Sequence, residues 1–156
     1  MITINLICVG SIKEKFYTDA LKEYEKRLSA FCKFNIIEVK EINFNKPSVS
    51  DIEKINVLEG KNIIKHLTKF NILLSLKGKE YSSEDFANFI LNKQNFFSEL
   101  TFIIGGSYGV SGEVENLVQE KISFSKLTFP HQLMRVIFSE QLYRAFTIIF
   151  NKGYHK

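Results

Sequence analysis

The stretch LTFIIGGSYGVSG, residues 100–112, decides how the rest of the chain is read. Leu100 to Ile104 is a short, mostly apolar run interrupted only by Thr101, too short for a helix and closed by glycine, which predicts a strand buried on both faces. Gly105 to Gly112 follows as a glycine-rich loop, and Glu113 to Glu120 as a short helix. The same strand-then-helix alternation extends to both sides. Ile2 to Val9 is a β-branched run stopped by Gly10. Lys13 to Phe31 repeats apolar residues at Phe16, Ala20, Tyr24 and Leu28, the rhythm of a helix with a charged outer face. Phe34 to Val39 predicts a second strand, and Lys40 to Val49 a polar loop. Ser50 and Glu53 have capping-box spacing and open a helix to about Leu67. Phe70 to Leu76 predicts a third strand, closed by turn residues around Gly78. Ser82 and Asp85 start a helix with Phe86, Phe89, Ile90 and Phe97 on one side. Ile122 to Thr128 is the fifth strand, His131 to Phe150 the longest helix, and Asn151 to Lys156 a tail.

Strands apolar on both sides, each followed by a helix, predict an α/β fold. Its expected form is three layers, a parallel sheet of about five strands with helices on both faces. Ligands of such sheets bind beyond the carboxyl ends of the strands. That rule points to Leu74–Gly78, Gly105–Gly109 and Ser125–His131.

With 156 residues and 18.1 kDa, one domain over residues 1–156 is expected. Hydrophobic residues at 45% and charged residues at 24% supply enough apolar side chain for a core, which excludes a disordered chain. No apolar run reaches the ~18 residues that span a bilayer, so no membrane partner is expected. The apolar start lacks a basic leader and reads as a strand, predicting a cytoplasmic protein. Cys8 and Cys32 sit among apolar residues and predict buried, reduced thiols. The net charge of +4 is compatible with a polyanionic partner without establishing one. Arginine is scarce, only Arg27, Arg135 and Arg144 beside eighteen lysines, which makes each a candidate for a planar, bidentate role.

The loop at 104–109 matches neither a dinucleotide fingerprint nor a phosphate-binding Walker loop, and serves either as a tight turn or as a ligand cradle. His66, His131 and His155 are too scattered for a metal site, and no nucleophile elbow or acidic pair supports a hydrolase or a response regulator. Glu140 precedes Arg144 by four residues, the favourable order for a helical ion pair. Arg135 and Arg144 lie nine residues apart, half a turn out of phase at ~100° per residue, so one chain cannot easily aim both at one site. The final helix carries Leu133, Met134, Val136, Ile137, Phe138, Leu142, Ala145, Phe146, Ile148, Ile149 and Phe150 around most of its surface. One sheet covers one stripe, so a homodimer through this C-terminal helix is the simplest way to cover the rest.

Several blocks together resemble the RlmH family, the ribosomal RNA large subunit methyltransferases H of the SPOUT superfamily. They are Ile104-Gly105-Gly106-Ser107-Tyr108-Gly109, the run from Ser123 through Phe129-Pro130-His131, Glu140-Gln141-Leu142-Tyr143-Arg144-Ala145, and Tyr154-His155-Lys156. The likeness also takes in Val9-Gly10 and Tyr24-Glu25-Lys26-Arg27-Leu28, and so runs the whole length. It departs from the family pattern around Lys77, one residue tighter, and in the Ser107-Tyr108 pair.

The resemblance implies transfer of methyl from S-adenosyl-L-methionine to N3 of a pseudouridine in the helix 69 hairpin of 23S rRNA, on the assembled ribosome. It implies a homodimer, a deep trefoil knot in the C-terminal half, and no metal. Carried over by position, the cofactor contacts fall on Leu74, Gly106 and the run Ser125, Lys126, Leu127, Thr128, Phe129 and Pro130. Gly105, Gly106 and Gly109 would admit the cofactor without steric cost. The implied catalytic residues are Arg144 for the uracil oxygens or a phosphate, His155 for proton acceptance, Tyr154 for stacking on or orienting the base, and His131 for supporting the cofactor loop. A dimer would let a site take its arginine from the partner. Two alternatives stay open on sequence: a non-catalytic RNA-binding dimer, and a SPOUT methyltransferase acting on tRNA.

Overall fold

The predicted alternation is present throughout. In the computed structural model, which describes residues 1–156, the chain runs β1 (Thr3–Val9), α1 (Lys15–Leu28), β2 (Lys33–Val39), α2 (Val49–Ile64), β3 (Asn71–Glu80), α3 (Ser83–Gln94), β4 (Glu99–Ile104), α4 (Gly112–Leu117), β5 (Glu120–Ser123) and α5 (His131–Ile149). The strands form one five-stranded parallel sheet in the order β2-β1-β4-β3-β5. Successive strand residues point to opposite faces. In β1, Ile4, Leu6 and Cys8 join the core under α1, α3 and α5, while Ile7 and Val9 join Ile63 and Val114 under α2 and α4. β4 divides in the same way, with Leu100, Phe102 and Ile104 opposite Ile103. No helix is long and apolar enough to cross a membrane. Cys8 and Cys32 are free and buried, and burial pushes both thiols up to about 12.

Several boundaries differ from expectation. The capping box of α2 is Ser48 with Asp51: the Asp51 N–H donates to Ser48 Oγ at 3.2 Å, and the Ser48 N–H donates back to the carboxylate at 3.0 Å. Ser50 and Glu53 share that spacing but lie inside the helix, which also ends at Ile64, leaving the exposed His66 beyond it. β3 does not stop at Leu76. It bulges between Leu74 and Lys79, then pairs again with β5 through Glu80. Gly78 is therefore a close-approach residue inside the strand, since a Cβ there would meet the Ile122 amide nitrogen at 2.5 Å. β5 is shorter than expected, so the chain from Phe124 to Pro130 is loop. Phe97 lies past α3 and packs on Phe70, ring centres 4.7 Å apart.

Arg135 is 1% exposed, the largest of the fully buried side chains. Its Nη1 donates to Glu38 Oε2 at 2.7 Å, and Nη2 to the carbonyls of Val9 (3.1 Å) and Gly10 (2.7 Å). One α5 side chain thus caps the carboxyl end of β1 and reaches Glu38 on β2. Arg135→Met keeps the volume of the stem but strands two carbonyls, and should cost about 3 kcal/mol of stability. A urea-unfolding difference below about 1 kcal/mol would show that the fork contributes little.

Candidate functional site

At the β3 bulge and beyond the carboxyl ends of β4 and β5 lies a cleft of about 510 Å³. The β3 bulge supplies one wall as Leu74, Ser75, Leu76 and Lys77, the glycine loop a second, and the segment after β5 a third. Leu74, Gly105, Gly106, Gly109, Ser125, Leu127, Thr128, Phe129 and His131 all line it, as the strand-end rule predicts. Lys126 and Pro130 do not. The Lys126 side chain is exposed and stands 3.9 Å from Glu80, and Pro130 is the residue from which α5 starts. The β5 exit is held in shape by Ser123 Oγ donating to the Ser125 carbonyl and by the Leu127 N–H donating to Ser125 Oγ, both at 2.9 Å. Leu76 and Leu127 line the cleft yet remain 57% and 69% exposed. An apolar ligand surface would cover them.

The glycine loop is both turn and cradle. Gly106 and Gly109 exchange reciprocal backbone hydrogen bonds at 3.2 and 3.1 Å, and Gly109 adopts φ +87°. Its support comes from α2. Asn56 Nδ2 donates to the Tyr108 carbonyl at 3.0 Å, and a Cβ on Gly106 would meet Glu59 Oε1 at 2.6 Å. Glu59 is buried, its Oε2 accepting from the Ile42 N–H at 3.0 Å. Burial holds its carboxyl above the usual range, while that N–H opposes the shift.

Arg144, Tyr154 and His155 do not line the cleft. They form a second cluster at the far end of α5, where the tail folds back. Glu140 Oε1 accepts from Arg144 Nε at 3.1 Å, from Arg144 Nη2 at 2.5 Å and from the Tyr154 hydroxyl at 3.0 Å. The guanidinium lies 4.9 Å from the centre of the Tyr154 ring. His155 sits with Nδ1 3.1 Å from Arg144 Nη1 and Nε2 2.7 Å from Glu84 Oε1. The expected Glu140–Arg144 pair is present, and its hydrogen bonds hold Arg144 above the ordinary arginine value. Burial and the bond to Glu140 push the Tyr154 phenol up to about 12. Arg135 and Arg144 face opposite sides of α5, as their phase requires.

Glu84 was invisible in the sequence because its partner lies 71 positions away, on another element. Glu115 and Met134 also line the cleft without any local signal. The Ser75–Lys77 wall had one in Gly78, which marks a bulge as readily as a turn. No group of three or more metal-capable side chains occurs.

The family model described as "Predicted SPOUT methyltransferase" matches residues 2–155. This chain belongs to the SPOUT methyltransferase family. It is 48% identical to the ribosomal RNA large subunit methyltransferase H of Fusobacterium nucleatum, over 98% of this chain and 99% of that one. The protein of the same name from Clostridium botulinum is 46% identical over the same shares. The structure of the Legionella pneumophila methyltransferase Lpg2936, with bound SAM, is a distant match. It has a TM-score of 0.48 and 14% identity over 92% of this chain and 66% of that one, and adds nothing on the site.

In this SPOUT chain the Tyr154 hydroxyl offers a direct check on the tail cluster. A raised tyrosine pKa contributes stability that is complete below the ordinary 10.0 and is lost as pH rises through about 12. Glu140→Gln removes the charge that favours the neutral phenol. The Tyr154 midpoint should fall toward 10.0, followed by NMR of ring-labelled tyrosine at alkaline pH. An unmoved midpoint would mean that Glu140 does not hold Tyr154 in solution.

Proposed function

We propose that this SPOUT methyltransferase transfers methyl from S-adenosyl-L-methionine to N3 of a pseudouridine in the helix 69 hairpin of 23S rRNA. In this reading residues 1–156 act as one knotted methyltransferase domain, in the cytoplasm, on the assembled ribosome. The observation that carries it is the coincidence of the strand-end cleft with the sequence blocks 104–109 and 123–131. The name shared by relatives of nearly equal length supports the rRNA substrate.

The cleft fits such a ligand. Its volume lies within the ~300–1,000 Å³ of small-molecule pockets. Leu74, Leu76 and Leu127 provide apolar walls, and the backbone of the glycine loop and of residues 125–129 provides polar edges without charged side chains. S-adenosyl-L-methionine supplies an already activated methyl group. The chain's own residues must then stabilise charge that grows on the uracil oxygens as N3 loses its proton to solvent. Arg144 suits that task, because Glu140 fixes its guanidinium and leaves other N–H groups to donate. Tyr154, held by Glu140 and packed under Arg144, is placed to stack on or orient the base. His131 lines the cleft and supports its wall. His155 can accept a proton only at Nδ1, by releasing Arg144, since Nε2 already donates to Glu84.

Cleft and tail cluster are separate in one chain, which supports a homodimer through α5 in which one subunit's cluster completes the other's cleft. α1 and α3 flank α5 and cover much of it, but Leu133, Val136 and Ile137 stay half-buried and Phe150 is exposed.

Labelled methyl from S-adenosyl-L-methionine should enter unmodified ribosomes at N3 of the helix 69 pseudouridine, and enter the same rRNA stripped of protein less well. No incorporation into either, with cofactor binding demonstrated, would overturn the substrate and make tRNA the next to test. Arg144→Ala should lower transfer by roughly 10²–10³-fold with cofactor affinity unchanged. Normal transfer by that variant would remove Arg144 from the chemistry.

A further inference from the structure

The tail histidine is gripped from two sides by groups of opposite chemistry, and that decides which ring nitrogen carries its proton. Arginine can only donate hydrogen bonds, and an ionised carboxylate can only accept them. Nδ1, 3.1 Å from Arg144 Nη1, must therefore present its lone pair. Nε2, 2.7 Å from Glu84 Oε1, must carry the hydrogen. The titratable and charged groups around the ring are Glu84 from α3, Arg144 and Glu140 from α5, and Tyr154 from the tail itself.

We propose that Glu84, in the first turn of α3, is a positioning residue for methyl transfer: it fixes His155 in the Nε2–H tautomer so that Nδ1 holds Arg144 in place. This rests on the reading of Arg144 given above. The hydrogen count of the guanidinium supports it. Of five N–H groups, Nε and one on Nη2 go to Glu140, and one on Nη1 goes to His155. One N–H remains on each terminal nitrogen, a pair suited to an oxygen acceptor of the substrate. Without Glu84 the ring is free to rotate or change tautomer, and an Nδ1–H facing the guanidinium would repel it. His155 then acts through Arg144 as an orienting group, with no proton to take from the substrate in this arrangement. The side chain of Glu84 is itself largely exposed, yet the bond to His155 holds its carboxyl below the ordinary glutamate range.

The test is NMR of the full chain with labelled histidine rings, paired with steady-state transfer from S-adenosyl-L-methionine to unmodified ribosomes. In the unaltered protein His155 should show the Nε2–H tautomer. Glu84→Ala should mix the tautomers and lower kcat about tenfold, with KM for S-adenosyl-L-methionine unchanged. Glu84→Gln keeps an acceptor oxygen at the same reach and should restore most of both. An Nδ1–H or doubly protonated His155 in the unaltered protein would overturn the proposal, as would Glu84→Ala with unchanged tautomer and kcat. If the unaltered protein transfers methyl to neither ribosomes nor rRNA, the substrate reading fails. The tautomer comparison between the unaltered protein and Glu84→Ala then still supports or overturns the positioning role.

Discussion

The placement of α5 depends on Arg135. Taking a guanidinium out of water is costly unless its donors find acceptors. Here Nη1 and Nη2 find the Glu38 carboxylate and the Val9 and Gly10 carbonyls, while the buried Nε–H has no partner; Glu38 stays 45% exposed, so only one ion of the pair is fully desolvated. The acceptors belong to the ends of β1 and β2, so the helix must cross the sheet with that side chain pointing down. Phe138, Leu142 and Phe146 follow on the same face and fill the core. Once Arg135 faces the sheet, helical phase turns Arg144 away from it.

The second constraint is the irregular edge of the sheet. A regular β3 would have continued flat beside β5 and left no wall. The bulge between Leu74 and Lys79 lifts Ser75, Leu76 and Lys77 out to form one, and Gly78 lets the backbone press against Ile122 where the strands rejoin. Behind the opposite wall, α2 carries Asn56 and Glu59 up against the glycine loop. The cleft is thus built from backbone shaped by buried supports, and few of its lining side chains carry charge.

How legible this was in sequence depends on the range of the interactions. β1 and β4 declared themselves because both faces are apolar, and the alternation of strand and helix followed. The start of α2 was misplaced by two residues because Ser48-Asp51 and Ser50-Glu53 carry the same local signal, and only the hydrogen bonds choose between them. The second half of β3 was hidden because Lys77, Gly78, Lys79 and Glu80 look like a turn, yet they pair with β5. In the site, the three cleft loops were found by topology, and the tail residues by family likeness. Glu84 lay beyond both, since its role exists only once α3 and the tail are packed together.

The outward stripe of α5 joins these constraints. Leu133, Ile137, Glu140, Arg144 and Ile148 recur at helical spacing on the side opposite Arg135. Ile148 packs back against the core of its own chain, but an isolated chain has little reason to put Leu133 and Ile137 beside a buttressed ion pair there, because each half-buried side chain forgoes part of its transfer free energy. Covering the stripe with another protein surface would bury the apolar residues and exclude water from around Arg144, which strengthens any bond its remaining N–H groups make. A single chain also cannot bend Arg144 round to its own cleft while Arg135 pins the helix. If one catalytic centre uses both the cleft and the tail cluster, two chains must supply them. The same helix phase that keeps the two groups apart in one subunit then sets how a second subunit has to approach.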